Sequence, residues 1–410
     1  MDSQNIIVNN NLILGADSFG NKIYSINKDY SSMLLVAPHS SGKGVCFTIP
    51  NLLFNNDSAI VHDIKMENYL LTAGFRESIG QQVFLFNPLG GEGYTHRYNP
   101  LDFLGFDEET IFNNIEKIVF LLIRQQNELA TQARHLLTSL ILYLAVNNNK
   151  VKSIGEVCRI ISGNFIEEIS QAIQKFSNKI HHFALNHLQN FLNKNDSEQN
   201  SIIRFLNSCL EPWHNPLIDY ATSVSDFNIG DFKKNKITLY VGLNPCDIER
   251  LKPVMQFFYD HALDQLMINN DIYDQENKYQ GLSLFLDEFY SLGKLSMLES
   301  AIGYFRGYKI RVILISSDFE RIENIYGEDI ASSMIYDCSY KIFYGGATPK
   351  TAHKISQYFQ DRKNNIEFLT WQQVMNLQSD QEILIHLERS ALASKFYYFN
   401  EEEFKKKTNL

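Results

Sequence analysis

Residues 33–53 read MLLVAPHSSGKGVCFTIPNLL, and this stretch guides the interpretation of the whole chain. The apolar run 33–36 predicts a buried strand, and the apolar segment 45–53 predicts a helix. The turn between them contains small residues, which let successive backbone N–H groups point at a phosphate near the start of the helix. A lysine in such a turn reaches the β- and γ-phosphate oxygens. The sequence therefore predicts a nucleotide phosphate site formed by Ser40, Ser41, Gly42, Lys43, Gly44 and Val45.

The loop departs from the usual GxxxxGK[ST] pattern at two positions. Ala37 stands where the first glycine is usual, and Gly44 replaces the hydroxyl residue that commonly ligates Mg²⁺. Thr48 begins about 6 Å further along the helix, so we expect a water molecule in place of the missing hydroxyl. Taken alone, the motif leaves open a glycine turn before a helix with an incidental lysine.

A second motif, LSLFLDEF at residues 282–289, is an apolar run followed by two adjacent carboxylates. Charged groups at the end of a buried strand are costly unless they have partners. In a P-loop ATPase the first carboxylate, here Asp287, holds the water shell of Mg²⁺, and the second, here Glu288, accepts a proton from the attacking water. An acidic strand cap is the alternative. Together the two motifs predict that the chain binds and hydrolyses ATP with Mg²⁺, with Lys43 and Glu288 as catalytic residues.

Seven apolar runs are typical of strands that are covered on both faces. They are residues 33–36, 59–61, 83–86, 237–241, 282–286, 311–315 and 340–344. Between about 106 and 220, apolar residues such as Leu129, Ala133 and Leu136 recur at steps of three and four, which predicts helices. We predict an α/β fold with a mostly parallel central sheet and an inserted all-α domain. The predicted segments are 1–105, 106–220 and 221–400, followed by a charged tail at 401–410.

The composition indicates a folded, soluble chain. Its 410 residues are 44% hydrophobic, and its net charge of −10 argues against nucleic-acid binding over the whole surface while leaving a local basic groove open. Five cysteines without a CxxC pair indicate neither a disulfide framework nor a structural zinc site, so a reducing compartment fits best. The first thirty residues show no signal-peptide pattern, and the apolar stretch 136–146 is shorter than the roughly 18 to 20 residues that span a bilayer.

Several longer phrases follow one another along the chain: LLVAPHSSGKG, IPNLL, HDIKMENYLLTAGFR, RYNPL, ARHLLTSLILYL, LDEFYSLGKL and FRGYKIRVILIS. From about residue 32 to 399 the chain resembles the type IV secretion coupling proteins, which are TraD/TraG-like motor ATPases. The resemblance implies a RecA-like nucleotide-binding domain with an all-α insert, ATP and Mg²⁺ as ligands, and a homohexameric ring. It also implies a location at the cytoplasmic face of the inner membrane. The implied partners are the channel ATPases and inner-membrane components of the secretion system, with a DNA relaxase complex or an effector protein as cargo.

The resemblance also assigns a catalytic role to Arg306 in FRGYKIR. In isolation, an arginine at the end of a helix is a favourable C-terminal charge. In coupling-type motors an arginine at the matching position reaches the γ-phosphate held by the neighbouring subunit, so the resemblance implies the same for Arg306.

Two features depart from the family pattern. Family members generally carry an N-terminal membrane anchor, and none is visible here, so we expect either a trimmed chain or an anchorless relative. Ser317 occupies the position of a glutamine that reads the γ-phosphate. Its shorter side chain would either weaken the coupling between hydrolysis and movement or leave that role to a water molecule.

Two other functions stay open from the sequence. One is a substrate-recognition platform that binds nucleotide, hydrolyses little of it and docks effector proteins on the α-domain. The other is a DNA translocase unconnected with secretion. The sequence does not choose between DNA and protein as cargo.

A further charged cluster follows the run 59–61 and can be explained as helix-capping charges: Asp63, Lys65, Glu67 and Arg76.

Overall fold

The computed structural model describes residues 10–268, 280–360, 369–387 and 389–408. By its internal contacts the chain divides into two compact units. The first takes its described residues from Met1–Leu85, Ile229–Lys252 and Ala262–Leu410, and the second consists of Phe86–Asn228 and Pro253–His261. The predicted insert, residues 106–220, lies within the second unit.

The described residues form an eleven-stranded sheet. Its strands are β1 (Ile13–Ala16), β2 (Lys22–Tyr24), β3 (Met33–Val36), β4 (Ser58–Ile64), β5 (Gln82–Phe86), β6 (Ile237–Leu243), β7 (Leu282–Leu286), β8 (Ile310–Ser316), β9 (Tyr340–Tyr344), β10 (Gln381–His386) and β11 (Arg389–Ser394). Their order across the sheet is β2-β1-β11-β10-β9-β3-β8-β7-β4-β6-β5. All seven predicted strands are present, whereas β1, β2, β10 and β11 were not anticipated by the sequence patterns.

The centre of the sheet is parallel. Parallel pairing joins six neighbouring strands, in the order β9, β3, β8, β7, β4 and β6. Antiparallel pairing joins the neighbours β2, β1, β11, β10 and β9 on one side of them. β3, β7 and β8 are buried along their whole length, as expected for strands covered on both faces. This confirms the predicted α/β fold with a mostly parallel central sheet.

The register brings the carboxyl ends of the parallel strands together. Val36 at the end of β3 pairs with Ser316 at the end of β8, and Leu286 at the end of β7 pairs with Leu314. The chain leaves each of these strands at the same edge of the sheet. The loop 37–43 and the acidic pair at 287–288 must therefore be neighbours.

The described residues also form sixteen α-helices. They are α1 (Ile49–Leu52), α2 (Glu67–Ser78), α3 (Glu108–Leu122), α4 (Glu128–Val146), α5 (Ile154–Ser162), α6 (Phe165–Phe176), α7 (His182–Leu192), α8 (Asp196–Cys209), α9 (Pro216–Ala221), α10 (Ile248–Ile268), α11 (Ser296–Ala301), α12 (Phe319–Tyr326), α13 (Glu328–Asp337), α14 (Pro349–Gln360), α15 (Trp371–Met375) and α16 (Glu402–Lys407). A π-helical segment, Gly44–Thr48, precedes α1 and begins directly after the loop that follows β3.

The second unit contains helices α3 to α9 and has its own buried polar contacts. Tyr98 is buried, and its hydroxyl lies 2.9 Å from Nδ1 of His261. The buried carboxylate of Asp260 accepts a hydrogen bond from Arg124 at 2.7 Å. Because unpaired buried charges are costly, these contacts help to fix residues 253–261 within this unit.

Among the described residues, one helix is long and apolar enough to cross a membrane by length and composition. It is α4, in which the apolar stretch 136–146 is extended to 19 residues by the preceding turns. In the structure, 61% of its most apolar window is buried. The core helix of a soluble protein passes the same test, so this feature is weak support for a membrane span.

Candidate nucleotide-binding site

The loop after β3 has the backbone geometry of an anion-binding turn. Ser40 and Gly42 have φ values of 60° and 90°, which place both in the left-handed region. Ser41 N donates to the Pro38 carbonyl at 3.1 Å, and Cys46 N donates to the Gly42 carbonyl at 2.8 Å. A left-handed serine costs on the order of 1–3 kcal/mol, and such strain is concentrated at ligand sites. Alternating backbone conformations of this kind create concave sets of N–H groups that bind anions.

The acidic pair lies beside this loop. Asp287 and Glu288 follow β7, and Glu288 is also left-handed, with a φ value of 50°. Lys43 Nζ lies 3.5 Å from Asp287 Oδ1 and is in direct contact with Glu288 Oε1. The structure thus brings together the lysine and the two carboxylates that the sequence analysis singled out, although they are separated by more than 240 residues.

Burial shifts the titration of all three groups. It raises the pKa of Glu288 to about 7, and the nearby Arg321 guanidinium lowers it only in part. Burial also raises the pKa of Asp287, with the Lys43 charge acting in the opposite direction. The pKa of Lys43 is lowered by burial, against the favourable effect of Asp287. These charges stabilise one another in a site where each alone would be costly.

The Glu288 carboxylate has two more neighbours that sequence reasoning missed. Tyr290 donates its hydroxyl hydrogen to Glu288 Oε2, and His39 Nδ1 lies 3.5 Å from Glu288 Oε1. The guanidinium of Arg321 lies over the Tyr290 ring, 4.5 Å from its centroid. His39 and Tyr290 are within or next to the two motifs, so their positions gave a signal. Arg321 belongs to α12 and had no motif around it.

Ser317 at the end of β8 points its hydroxyl at a neighbour in the chain. Its Oγ donates to Asp318 Oδ2 at 2.8 Å, while Asp318 Oδ1 accepts from Arg321 N at the start of α12. Ser317 is buried. The serine that stands in place of the expected glutamine is therefore part of a helix cap.

Several buried polar atoms around the loop fit a ligand that carries oxygens and a hard cation. Ser41 Oγ, Thr48 Oγ1 and Asp287 Oδ1 have no hydrogen-bond partner among the described residues. Buried polar atoms without partners are rare in folded proteins. Carboxylate and hydroxyl oxygens, with water, are the groups that surround Mg²⁺ in nucleotide sites. The described residues contain no cluster of three or more His, Cys, Asp or Glu side chains suited to a metal, so such an ion would keep several waters.

Two members of the charged cluster that the sequence analysis singled out, Asp63 in β4 and Arg76 in α2, have structural roles. Asp63 accepts hydrogen bonds from the backbone N–H groups of Asn68 and Tyr69 and so caps α2. Burial raises the pKa of Asp63 to about 6, and these hydrogen bonds oppose the shift. Arg76 is fully buried and donates to the Leu52, Asn55 and Asp57 carbonyls.

Arg306 lies at the opposite end of the strands. It belongs to a short 3₁₀ segment, Phe305–Tyr308, that leads into the amino end of β8. The seven residues of β8 span about 20 Å. The Arg306 side chain is 67% exposed, and its Nε lies 3.4 Å from Asp29 Oδ1. The structure therefore does not bring Arg306 to Lys43 and Glu288 of the same chain.

Curated relatives of the chain include two named proteins. Protein VirD4 of Rhizobium rhizogenes is 29% identical over 346 residues, which cover 83% of this chain and 50% of that protein. Conjugal transfer protein TraG of Escherichia coli is 25% identical over 363 residues, which cover 83% of this chain and 56% of that protein. The chain spans about half the length of the curated relatives it matches.

Solved structures similar to this fold include the plasmid coupling protein TrwB. Its unbound form, TrwBdeltaN70, has a TM-score of 0.67 and 16% identity, covering 93% of this chain and 88% of that chain. TrwB in complex with the ATP analogue ADPNP has a TM-score of 0.68 and 15% identity, covering 90% and 86%. At this level of identity the likeness concerns the fold, and it confirms the predicted RecA-like P-loop architecture.

The sequence model of one family, described as Type IV secretory system Conjugative DNA transfer, matches residues 2–359. This match covers most of the chain, including the loop after β3 and the acidic pair after β7. The chain therefore belongs to the type IV secretory system conjugative DNA transfer family, as the resemblance to the coupling proteins predicted.

Proposed function

We propose that this chain binds ATP with Mg²⁺ and hydrolyses it as the motor of a type IV coupling protein. The observation that carries the proposal is the meeting of Lys43 with Asp287 and Glu288 beside a loop of anion-binding geometry. The fold neighbour TrwB has been solved with ADPNP and with ADP and Mg²⁺, which supports nucleotide binding by this fold.

Each predicted site residue takes a defined role in this proposal. The backbone of residues 40–45 binds the phosphates, and Lys43 reaches the β and γ oxygens. Asp287 would hold Mg²⁺ through water, and the ion would supply positive charge that neutralises the phosphates. Glu288 takes the proton of the attacking water, for which a pKa near the working pH is suited.

The contact between Lys43 and Glu288 suggests how phosphate binding prepares the base. In the structure the ammonium of Lys43 contacts Glu288 Oε1 and holds that carboxylate. A γ-phosphate offers several charged oxygens to the same ammonium and competes with the carboxylate for it. Once Lys43 turns to the phosphate, the Glu288 oxygen becomes available to water. We infer that nucleotide binding and base activation are linked through Lys43.

Arg306 acts across a subunit boundary in this proposal. Its distance from Lys43 within the chain and its exposure support a role toward the nucleotide of a neighbour. The guanidinium would offset charge on the γ-phosphate in the transition state. Hydrolysis then requires a ring, and we propose a homohexamer.

Membership of the family supports a proposal for the cargo and the location. The family is described by conjugative DNA transfer and TraG is named for conjugal transfer, which supports a DNA relaxase complex as cargo, with effector proteins as the alternative. We place the motor at the cytoplasmic face of the inner membrane, where it would meet the channel ATPases and inner-membrane components of the secretion system. Its task there is to deliver the cargo to the channel.

Phosphate release with and without single-stranded DNA tests the proposal. We expect the parent protein to hydrolyse ATP and to do so faster with DNA. The Lys43→Ala variant should lose most nucleotide binding, because that change removes the mobile positive charge of the loop. Lys405→Ala is a matched control, since this lysine lies in α16 and pairs with Glu402 on the surface. Parental ATP binding by Lys43→Ala in a calorimetric titration would refute the phosphate-loop assignment.

A platform that binds nucleotide but turns it over slowly is the second candidate. The observation that favours it is Ser317, whose hydroxyl is engaged with Asp318 where the family places a phosphate-reading glutamine. ATP binding without measurable phosphate release, with or without DNA, would favour this candidate over the motor.

A further inference from the structure

A lysine from the far end of the chain contacts the back of the phosphate loop. Lys395 follows β11 and lies beyond residues 2–359, which the family sequence model matches. Only 5% of the residue is exposed. Its Nζ donates to the carbonyl oxygen of Ser41 at 2.8 Å, although the two residues are 354 positions apart. The sequence motifs gave no indication of this contact.

The contact fixes the direction of one peptide group in the loop. The Ser41 carbonyl and the Gly42 N–H belong to the same peptide, and the described residues contain no cis peptide bond. In a trans peptide the C=O and N–H bonds point in opposite directions. Because the carbonyl of Ser41 points at buried Lys395, the N–H of Gly42 points away from it, toward the side on which phosphate would bind. Reversal of this peptide would remove one donor from the loop.

The surroundings of Lys395 act on its charge in opposite directions, because burial lowers its pKa while nearby acidic groups, among them Glu382, oppose that shift. Its Nζ lies 4.2 Å from the centroid of the Tyr344 ring. The nearby carboxyl of Glu382 is fully buried, and neither of its oxygens has a hydrogen-bond partner among the described residues. Burial raises the pKa of Glu382 well above its usual value, and the nearby Lys395 charge opposes that shift. Within the described part of the chain, no carboxylate lies at ion-pair distance from Lys395 Nζ.

Glycine at position 15 permits this arrangement. A Cβ atom built on Gly15 would lie 1.7 Å from Glu382 Oε1. β1 therefore passes over the carboxyl group at a distance that only glycine allows, and the group is sealed from solvent. The buried positive charge beneath the loop is then compensated by the Ser41 carbonyl and the Tyr344 ring, and further by an anion that binds on the other side of the loop.

We propose that Lys395 is a positioning residue of the phosphate loop, which holds the Ser41–Gly42 peptide with its N–H toward the phosphate and adds positive charge behind it. The proposal rests on the nucleotide-binding function argued above. It extends the site beyond residues 2–359, because Lys395, which follows β11, contacts the loop after β3 on the face opposite the phosphates.

Lys395→Met tests the proposal, and the chain offers a matched control. Lys341 is also 5% exposed, donates to a backbone carbonyl, that of Cys338, and lies over a tyrosine ring, that of Tyr358. It lies on β9, and its bonded carbonyl precedes that strand. We expect Lys395→Met to bind ADP with Mg²⁺ about ten- to a hundredfold more weakly in calorimetry, as is typical for loss of a charged hydrogen bond. We expect Lys341→Met to bind ADP as the parent does.

Amide hydrogen exchange without nucleotide provides a second readout. Peptides covering residues 38–46 should exchange faster in Lys395→Met than in the parent and in Lys341→Met, because the Ser41–Gly42 peptide is no longer held. Lys395→Arg, which keeps the charge and a donor, should restore part of both the affinity and the protection. If Lys395→Met is too unstable to study, Lys395→Arg still tests the positioning role. A purely structural role would not make the amide exchange of residues 38–46 change together with ADP affinity.

The outcomes separate this proposal from the function on which it rests. Parental affinity and parental loop exchange in Lys395→Met would overturn the positioning role and leave the nucleotide site intact. Failure of both the parent and Lys341→Met to bind ADP would overturn the proposed function, while the exchange comparison would still decide whether Lys395 orders the loop.

Discussion

The two ends of the parallel strands differ in how their buried polar groups are satisfied. At the amino end, Arg311 is fully buried and donates to the carbonyl oxygens of Asp29 and Asn10 and to Ser283 Oγ. Its Nη1 also lies 3.9 Å from the buried carboxylate of Asp57. The charged groups buried at this end are satisfied by the protein itself.

At the carboxyl end, the same sheet leaves polar atoms without protein partners. The hydroxyls of Ser41 and Thr48 are buried and have no hydrogen-bond partner among the described residues. Within the same residues, the ion pairs of Lys43 are those with Asp287 and Glu288. A buried charge with a full set of partners therefore indicates a structural role, whereas several buried polar atoms without partners beside a strained loop indicate a ligand.

The largest effect is expected at Arg306, which stands at the amino end but is exposed. Arg306→Ala should reduce ATP turnover by about 10³-fold or more while leaving ATP affinity unchanged, because a guanidinium supplied across a subunit boundary stabilises transition-state charge. Steady-state phosphate release and calorimetry measure the two quantities. Mixing Arg306→Ala with Glu288→Gln should restore some turnover at interfaces where both intact residues meet. Equal turnover per subunit in dilute monomer and concentrated protein would contradict the role in a ring.

Glu288→Gln is expected to have the next largest effect and concerns the carboxyl end alone. The amide keeps the size of the side chain but cannot take a proton, so turnover should fall by about 10³-fold with ATP still bound. Retention of labelled ATP on the protein is the measurement. Glu299→Gln is the control, because Glu299 pairs with Lys294 and is only partly buried. Parental turnover in Glu288→Gln would assign the base to another residue.

Arg311→Met tests the structural character of the amino end. Removal of the guanidinium leaves Asp57 buried without its cation, so the free energy of unfolding should fall by about 3 kcal/mol. Denaturant unfolding measures this change. ADP affinity of the folded protein should stay at the parental value. Arg311→Met combined with Asp57→Asn should recover part of the stability, and failure to do so would show that the pair is not coupled.

The pH dependence of turnover is expected to report the burial of Glu288. A pKa raised to about 7 means that the carboxylate, which is the active form of a base, is lost as the pH falls below about 7. Turnover should therefore drop about tenfold per pH unit below that point and level off above it. A profile that is flat from pH 5.5 to pH 8, with ATP binding intact, would contradict Glu288 as the base.

Ser317→Gln is expected to have the smallest effect. A glutamine would reach toward the γ-phosphate and could raise turnover severalfold where hydrolysis limits the cycle. The buried hydroxyl contact of Ser317 with Asp318 would be lost at the same time. Phosphate release measures whether the gain from the amide exceeds the loss of this hydrogen bond. Unchanged or lower turnover would indicate that the start of α12 is adapted to serine.

Most of the parallel core could be predicted from the sequence. Continuous apolar runs mark strands that are buried on both faces, so β3 to β9 were recognised. β1 and β2 are only four and three residues long, and β11 consists mostly of small residues with a single buried position, so none of the three gave a clear apolar run. β10 and β11 pair with each other, and the sequence of either one alone does not indicate a strand.

Only part of the candidate site could be predicted, because only some of its residues lie in recognisable local motifs. Lys43, Asp287 and Glu288 lie inside local motifs, and the order of parallel strands brings their loops to one edge. Arg321 and Lys395 belong to no motif, because their roles depend on position in space and not on neighbouring residues.

The sequence alone predicted a loop suited to phosphate, the acidic pair and the strands that carry them, since these follow from local patterns of size, charge and hydrophobicity. The fold was needed to show that Arg76 and Arg311 donate to backbone carbonyls in the interior, that Arg306 lies at the amino end of the strands, and that Lys395 contacts the Ser41 carbonyl. The physical reason is that burial and pairing set the energy of a charged side chain, and both are properties of contacts between residues far apart in the chain.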